Sequence, residues 1–358
     1  MNKKEEIKQI DFTGGLQCPI PKSDYDRVLL AHGGGGTLSH QLISKMFFPH
    51  FDNDLLNEQH DSAIFNIDKG RLAFTTDSYV VQPIFFSGGD IGELAVNGTV
   101  NDLTAAGAHP LYISAGFIIE EGFLIEELWQ IVQSMKRAAD NAGVMIVTGD
   151  TKVVDKGKGD KIFINTSGIG LIKDNINISP KRCIPGDKII ISGKIAEHGI
   201  TIMSEREGLE FDSTMRSDTA PMNKLFGLIE KFGEDIHVMR DPTRGGIAST
   251  LNEIAETANV GILIDEEKIP ISGQVDAACE ILGLDPLYIA NEGKMIFIVS
   301  PEIANEVLKL IRSHVLGKDA EIIGTVTNED PGILIMKTSI GSNRVVDMIS
   351  GEQLPRIC

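Results

Sequence analysis

The sequence predicts two mixed α/β domains of the α+β type, followed by a flexible C-terminal tail. Its 358 residues, 42% of them hydrophobic, exceed what one core usually organises. Strand-like and helix-like patterns alternate through the chain, and a connection rich in Pro and Gly, Ile178–Asp187, divides them into two sets. We therefore expect an N-terminal segment (1–42), a first domain (43–175), a second domain (176–338) and a tail (339–358).

The first set contains strands separated by two helices. Alternating apolar runs predict strands at about 61–68, 71–81, 111–120, 144–154 and 161–172. Asp90, with Glu93 three residues later, has the pattern of a helix N-cap, and this helix should end before Gly107. The second helix should end before Gly143.

The second set begins after the connection, with the strand-like run KIIISG. Apolar periodicity predicts helices near 220–232, 245–258, 272–283 and 301–315. Strand-like runs lie between them at 261–265, 295–300, 320–326 and 332–336.

Composition excludes several classes of partner. The 51 acidic and 33 basic residues give a formal charge of −18, which repels phosphate backbones, so nucleic acid is not expected as a partner. No apolar run approaches membrane-spanning length, and the N-terminus lacks a targeting pattern, so we expect no membrane and a cytoplasmic location. The four cysteines are far apart, which argues against a zinc site or a disulfide framework.

The last residue is a cysteine, Cys358, beyond a polar stretch broken by Gly and Ser. From Gly341 an extended chain would reach about 55–60 Å, enough to cross a domain. An exposed thiolate beside Arg356 could accept an electrophilic group and carry it into a site. A bystander thiol at a frayed terminus is an equally weighted alternative from position alone.

A glycine run, Gly33–Gly36, could present backbone N–H groups to an anion, although such runs are as often hinges. The P-loop and dinucleotide-binding glycine patterns are both absent.

Four acidic residues follow element ends or small residues: Asp77, Asp102, Asp150 and Asp241. Carboxylates and a phosphate cradle together suit Mg²⁺ and ATP, whereas each Asp alone suits a turn or cap. Asp241, for example, could cap the helix expected near Gly245.

Two further charged residues lie in apolar or Gly-rich surroundings. Lys152 follows Thr-Gly-Asp-Thr, and Glu292 lies in Ala-Asn-Glu-Gly. Partial desolvation would shift the pKa of either group and suit it to acid or base catalysis. An ordinary salt bridge or a solvated turn is the competing interpretation for both.

Taken together, the motifs resemble the HypE family, the carbamoyl dehydratases of [NiFe]-hydrogenase maturation, nearly end to end. The motifs that carry the resemblance are Tyr25–Gly36, Thr75–Val81, Phe85–Asp90, Asn97–Asp102, Gly149–Lys152, Arg240–Gly246, Asn291–Gly293 and Pro355–Cys358. The terminal Pro-Arg-Ile-Cys separates this family from others that share the Gly-rich and Asp motifs.

The resemblance implies a fold like that of aminoimidazole ribonucleotide synthetase, with ATP bound at the edge of a dimeric barrel. In that fold, residues 43–175 would form the ATP-binding and dimerisation domain. The nucleotide-binding residues it implies are Gly33, Gly34, Gly35, Gly36, Asp77, Asn101, Asp102, Asp150, Thr151, Asp241 and Arg244. The four aspartates among them would hold Mg²⁺.

The implied chemistry begins when the carbamoyltransferase HypF loads a carbamoyl group onto Cys358. ATP then drives dehydration of the thiocarbamate to an S-cyanide, which passes to the scaffold proteins HypC and HypD. Cys358 would be the covalent carrier, and Lys152 or Glu292 would handle the amide proton. A homodimer is expected.

Two other functions remain open at this stage. A selenophosphate synthetase would use a cysteine near the Gly-rich loop, and Cys18 precedes Gly33. A non-catalytic module would use ATP only to order its tail and dock partners. A lipidated tail is disfavoured, because the cysteine is last rather than fourth from the end.

Overall fold

The computed structural model describes residues 36–42, 44, 63–67, 70–208, 215–349 and 357. Gly33, Gly34, Gly35, Cys18 and Cys358 lie outside these ranges, so the predictions made for them are not addressed by the structure.

The first unit follows a short helix, α1 (Thr37–Leu42). Its elements are β1 (Ala63–Ile67), β2 (Gly70–Tyr79), β3 (Phe85–Phe86), β4 (Gly89–Asp90), α2 (Ile91–Ala105), β5 (Ala108–Glu120), α3 (Ile125–Ala142), β6 (Met145–Val154) and β7 (Ile162–Ile172). Within the described residues, five of the strands form one sheet in the order β1-β2-β7-β5-β6. All neighbours in it are antiparallel except the β5–β6 pair.

Helix α2 covers one face of this sheet and begins as predicted. The Oδ1 atom of Asp90 accepts hydrogen bonds from the backbone N–H groups of Gly92 (2.7 Å) and Glu93 (3.0 Å). Almost every residue of α2 is buried, because the helix lies between the sheet and the second unit. Helix α3 packs on the outside of α2 and ends at Gly143, also as predicted.

The second unit is built on a larger sheet. Its elements are β8 (Lys188–Ile191), α4 (Glu197–Glu207), α5 (Asn223–Ile229), β9 (Ile236–Arg240), α6 (Gly246–Ala258), β10 (Gly261–Asp265), α7 (Gly273–Leu282), β11 (Ile296–Val299), α8 (Ala304–Arg312), β12 (Glu321–Thr327), β13 (Leu334–Lys337) and β14 (Asn343–Val345). Among the described residues, the strand order is β14-β13-β10-β12-β8-β11-β9. Strand β11 is buried along its whole length, and residues 189–191 of β8 are too, which explains their unbroken apolar sequences.

The prediction that the tail begins at residue 339 places its start too early. Strand β14 pairs with β13, and Thr338 and Ser342 hydrogen-bond across the turn between them. Val346 packs in the core of the second unit, and the Asp347 carbonyl oxygen accepts a 2.8 Å hydrogen bond from the Tyr288 hydroxyl. The Gly/Ser-broken stretch at 339–342 is therefore a hairpin turn, and residues up to 347 belong to the second unit.

In the part of the chain that the structure describes, no helix combines the length and apolar character needed to cross a bilayer.

Candidate functional site

Strand β2 and helix α2 bring two of the predicted aspartates together. Asp77 pairs in register with the buried Thr166, which places it on the α2 side of the sheet. Asp102, on α2, accepts a 2.8 Å hydrogen bond at Oδ2 from Thr75 Oγ1. Two residues along β2 from Thr75, Asp77 accepts a 2.7 Å bond from the Ser78 N–H. Alternation along β2 therefore presents Asp77 and Thr75 to the same helix.

The second unit adds Asp241 and Arg244 from the turn between β9 and α6. Gly246 has φ of +60°, and a Cβ there would lie 2.4 Å from the Leu287 carbonyl oxygen, so the turn requires glycine to pack this closely. Pro242 O accepts hydrogen bonds from the Asn291 N–H (3.1 Å) and side-chain amide (2.9 Å). The turn is thereby fixed beside Glu292.

Asp241 is not the N-cap of the following helix. The N-cap of α6 is Gly245, and no side chain caps this helix. Asp241 is nevertheless buried. The helix-capping role considered for Asp241 from the sequence is therefore wrong, and the residue lies in the turn between β9 and α6.

Glu292 combines deep burial with a carboxylate oxygen that lacks a hydrogen-bond partner in the described part of the chain. Its side chain is 3% exposed, and Oε1 has no hydrogen-bond partner among the described residues. Burial raises the pKa of Glu292 well above its usual range, and the negative charges of Asp218, Asp77 and Asp241 raise it further. Arg244 opposes this shift. The carboxyl groups of the two units are therefore close enough to affect one another.

Two contacts hold the Glu292 loop in place. A Cβ on Gly293 would lie 1.7 Å from the Asp218 carbonyl oxygen, so only glycine allows this approach. The Glu292 N–H donates to Asp218 Oδ1 at 3.0 Å, and Asp218 Oδ2 pairs with Lys294 at 3.0 Å. Lys294 also lies 3.5 Å from Glu197.

Asn101 links the two units. Its Nδ2 donates to the carbonyl oxygens of Ala220 and Glu292, both at 3.1 Å, and its Oδ1 accepts from the Met222 N–H at 2.8 Å. The residue is buried, and these bonds join α2 to the loops of the second unit. Asn101 therefore positions the Glu292 backbone; its contact with a nucleotide remains a prediction.

The electrostatics of the site favour a cationic ligand. Burial raises the pKa of Asp77, while Arg244 lowers it in part. Asp77, Asp102, Asp241 and Glu292 offer hard oxygen atoms, the donors that Mg²⁺ prefers. Within the described ranges no three His, Cys, Asp or Glu side chains are grouped closely enough to hold a metal ion. Mg²⁺ usually combines one or two carboxylates with phosphate oxygens, so this donor set fits it only together with a nucleotide.

Asp150 and Lys152 lie on the opposite face of the first sheet from Asp77. On β6, Asp150 pairs with Gly116 of β5, which pairs with Asn165 of β7, and Asn165 points away from α2 towards Ser78 Oγ (2.9 Å). Lys152 Nζ lies 2.8 Å from Asp150 Oδ2, and the two side chains are 69% and 66% exposed. Within one chain, the sheet separates this pair from the Glu292 cluster.

For two other predicted residues, Gly36 and Thr151, only part of the local surroundings is described. Gly36 is buried, and a Cβ there would lie 2.4 Å from Ile349 Cγ2. Thr151 lies on β6 opposite Phe117, and its side chain is outside the described part.

Sequence reasoning missed a histidine at this junction. His198, at the start of α4, is completely buried, and its Nε2 lies 2.6 Å from the carbonyl oxygen of Ile357. Its Nδ1 lies 2.8 Å from Ser217 Oγ, beside Asp218 in sequence. The run Ala196-Glu-His-Gly199 matches no catalytic pattern, and the partner is 159 residues away, so nothing local pointed to this contact.

Comparison with protein-family models matches both units. Residues 59–172 match the N-terminal domain of AIR synthase related proteins, and residues 185–337 match their C-terminal domain. The two-domain fold predicted from the resemblance is confirmed.

Individual relatives agree with this match. A carbamoyl dehydratase HypE from Rhizobium leguminosarum bv. viciae is 53% identical over 333 residues, covering 93% of this chain and 95% of the relative. HypE in a crystal structure of a HypE–HypF complex is 49% identical with a TM-score of 0.82, covering 86% of this chain and 99% of that one. HypE crystallised with ATP is 48% identical with a TM-score of 0.79, covering 93% and 100%.

Proposed function

This chain belongs to the HypE family of hydrogenase maturation proteins, and we propose that it dehydrates a carbamoyl group carried on Cys358 to an S-bound cyanide, using ATP. The cyanide would supply the iron ligands of a [NiFe]-hydrogenase. The Rhizobium relative named above is a carbamoyl dehydratase, and another HypE was crystallised with ATP.

The buried carboxyl group of Glu292, whose Oε1 atom has no hydrogen-bond partner among the described residues, is the observation that carries this proposal. Among the described residues nothing donates a hydrogen bond to its Oε1 atom, and its neighbours include three aspartates and one arginine. An unpaired buried oxygen costs free energy, which a ligand or a transferred proton would recover. A base with a raised pKa also matches proton transfer near neutral pH.

The dehydration divides into two balanced steps. The thiocarbamate oxygen attacks the γ-phosphorus of ATP, releasing ADP, and one amide proton leaves to give an O-phosphorylated imidate. The imidate then loses phosphate while its remaining N–H proton passes to a base, and the C≡N bond forms. Phosphate replaces hydroxide as the leaving group, which is why the reaction needs ATP.

The residues of this chain would act at defined points. Glu292 would accept an amide proton from its position at the junction of the two units, and Arg244 would balance the charge beside it. Asp77, Asp102 and Asp241 would hold Mg²⁺ only together with nucleotide phosphates, whose charge the ion would neutralise. Asp150 is the fourth proposed magnesium ligand, and Lys152 is the alternative proton acceptor.

A homodimer would explain how Asp150 and Lys152 can take part in a site although they lie across the sheet from Glu292. On their face of the sheet, directly paired residues form an apolar row across four strands: Phe74, Ile169, Tyr112 and Met145. Each of these side chains is at least 37% exposed, an unusual density of apolar surface. We propose that a second copy covers this face, so that Asp150 and Lys152 can contribute to the partner's site.

Two kinds of partner would act before and after the dehydration. A HypF-type carbamoyltransferase would load Cys358, and a related HypE has been crystallised with HypF. The scaffold proteins HypC and HypD would accept the cyanide.

Intact-mass measurement tests the proposal. The protein is incubated with carbamoyl phosphate, ATP and a HypF-type carbamoyltransferase, and then with Mg-ATP. We expect wild type to gain one carbamoyl group and then to lose one water, whereas Cys358→Ala gains nothing but still binds ATP. An adduct that never loses water, or that forms equally on Cys358→Ala, would contradict the proposal.

A second variant separates loading from dehydration. Asp102→Asn keeps the acceptor for Thr75 Oγ1 but removes the charge. We expect this variant to be loaded normally and to keep its carbamoyl group in Mg-ATP. Formation of the S-cyanide by Asp102→Asn at the wild-type rate would rule out the magnesium assignment for Asp102.

A further inference from the structure

The penultimate residue of the chain is held at the junction of the two units. Ile357 is 6% exposed and belongs to the hydrophobic cluster that includes Ile202 on α4, Phe86 and Ala290. Its carbonyl oxygen lies 2.6 Å from His198 Nε2. The contact therefore combines an apolar anchor with a buried hydrogen bond to the backbone.

The partners of His198 specify its protonation. A carbonyl oxygen only accepts, so Nε2 must carry the proton that is donated to Ile357. Burial lowers the pKa of His198, which favours the neutral ring, and its Nδ1 must then accept from the Ser217 hydroxyl. Ser217 Oγ in turn accepts from the Thr219 N–H at 3.2 Å. Every donor in this series of hydrogen bonds, from the Thr219 N–H to the Ile357 carbonyl, therefore has an acceptor.

The same loop leads directly to the proposed catalytic carboxyl group. Asp218 follows Ser217 and accepts the Glu292 N–H at 3.0 Å. The backbone of α4 is joined to this region as well, because the Gly199 N–H donates to Ala290 O at 3.2 Å. The segment that orients His198 thus also fixes Glu292.

We propose that His198 is a positioning residue that docks the C-terminus by its hydrogen bond to the Ile357 carbonyl, and so holds Cys358 for dehydration. Consecutive Cα atoms are about 3.8 Å apart, so docking of Ile357 confines Cys358 to its immediate surroundings. His198 does not act on the reacting atoms. This inference rests on the proposed role of Cys358 as the carrier.

Alkylation of the Cys358 thiol tests docking without any turnover. The rate is measured by peptide mass spectrometry, which separates Cys358 from Cys18. Loss of one hydrogen bond in His198→Leu should raise the Cys358 rate about three- to tenfold. His198→Gln, which can still donate to a carbonyl, should recover part of the protection. His237→Leu is the matched control, because His237 is also buried but pairs with Asp187 at 2.8 Å.

A second variant guards against misfolding of the His198 variants. Ile357→Ser changes only the docked residue near the chain end and removes its apolar anchor. We expect Ile357→Ser to raise the Cys358 alkylation rate by at least tenfold. An unchanged rate in either Ile357→Ser or His198→Leu, or an equal rise in His237→Leu, would overturn the docking role.

The rate of dehydration shows whether docking of the C-terminus matters for the proposed function. In His198→Leu loaded with a carbamoyl group, water loss should slow several-fold, while KM for ATP stays at the wild-type value. If wild type never loses water, the proposed function fails, yet the alkylation result still decides docking. If wild type and His198→Leu lose water equally fast, the positioning role fails alone.

Discussion

Glu292 carries a free-energy cost that its proposed function explains. Burial and nearby aspartates raise the pKa of Glu292, so the folded chain binds a proton that the unfolded chain releases. Stability contributed by this group therefore falls as pH rises above the ordinary value of 4.5. Below that pH both states are protonated, and the cost disappears.

Glu292→Gln should consequently be more stable than wild type at neutral pH. The gain should grow as pH rises above the ordinary value of 4.5 and vanish below it, since only wild type has a proton to lose. In a chain of 358 residues a gain of ~1 kcal/mol corresponds to roughly 1–2 °C in Tm. Thermal unfolding of both proteins across this pH range measures the difference. A lower Tm for the variant at every pH would contradict the sign.

The same variant should lose dehydration while keeping carbamoyl loading. In wild type, the dehydration rate should fall as pH falls below the Glu292 pKa, because only the carboxylate accepts a proton. Stopped reactions analysed by intact mass at several pH values give this profile. A Glu292→Gln protein with the wild-type rate would transfer the base role to Lys152.

At the scale of single residues, the sequence predicted which residue types carry chemistry but not which side chains lie close together. Asp77, Asp102, Asp241 and Glu292 were identified from their motifs, and the structure brings their charges together. Asp150 and Lys152 were identified in the same way but lie across the sheet. Which face of the sheet each residue lies on depends on strand register. Register is set by pairing with the neighbouring strands and not by the local motif.

Elements were predictable where periodicity was strong. Helix α3 and strand β7 lie within one residue of their predicted ends. Helix α4 was not predicted, because it is buried on most sides between the two units and therefore has no polar face to give a periodic pattern. Strand β9 was missed for a related reason: its five residues include His237, whose polarity is offset by Asp187.

The close packing of α2 against β2 gives a prediction at the scale of elements. A Cβ on Gly98 would lie 2.1 Å from the Tyr79 hydroxyl oxygen and 3.0 Å from its Cζ. Gly98→Ala should therefore destabilise the protein by about 1–3 kcal/mol in denaturant unfolding, despite the better helix propensity of alanine.

A double-mutant cycle isolates the cause of this effect. Tyr79→Phe removes the hydroxyl and should recover part of the loss in the Gly98→Ala background, leaving a residual clash with the ring. The free energies of unfolding of the four proteins give the coupling between the two sites. Strictly additive effects would show that Tyr79 is not what Gly98 accommodates.

At the scale of the whole molecule, the proposed site is divided between the two faces of the first sheet. One face carries Asp77 and packs with α2 against the second unit, where Glu292 lies. The other carries Asp150, Lys152 and the apolar row from Phe74 to Met145. We propose that a second chain on the open face brings both sets to one nucleotide.

Mixing two inactive variants tests this division. Lys152→Ala and Glu292→Gln should each lose dehydration as homodimers if the site needs both groups, Glu292 as the base and Lys152 together with Asp150. If each site combines Glu292 of one chain with Lys152 of the other, a mixed dimer contains one intact site and one site lacking both. Random pairing of equal amounts should then restore about a quarter of the wild-type activity. Measurement requires unfolding and refolding the mixture, or co-expression with two tags.

The controls make the result decisive. Refolded wild type sets the full activity, and each variant refolded alone sets the background. Recovery near a quarter requires both a dimer and an exchange of Lys152 across it, because complementation cannot arise within a chain that lacks one of the two groups. Absence of recovery, with both variants inactive alone, would mean that Lys152 reaches Glu292 of its own chain. That outcome would require β6 to lie differently when the nucleotide is bound.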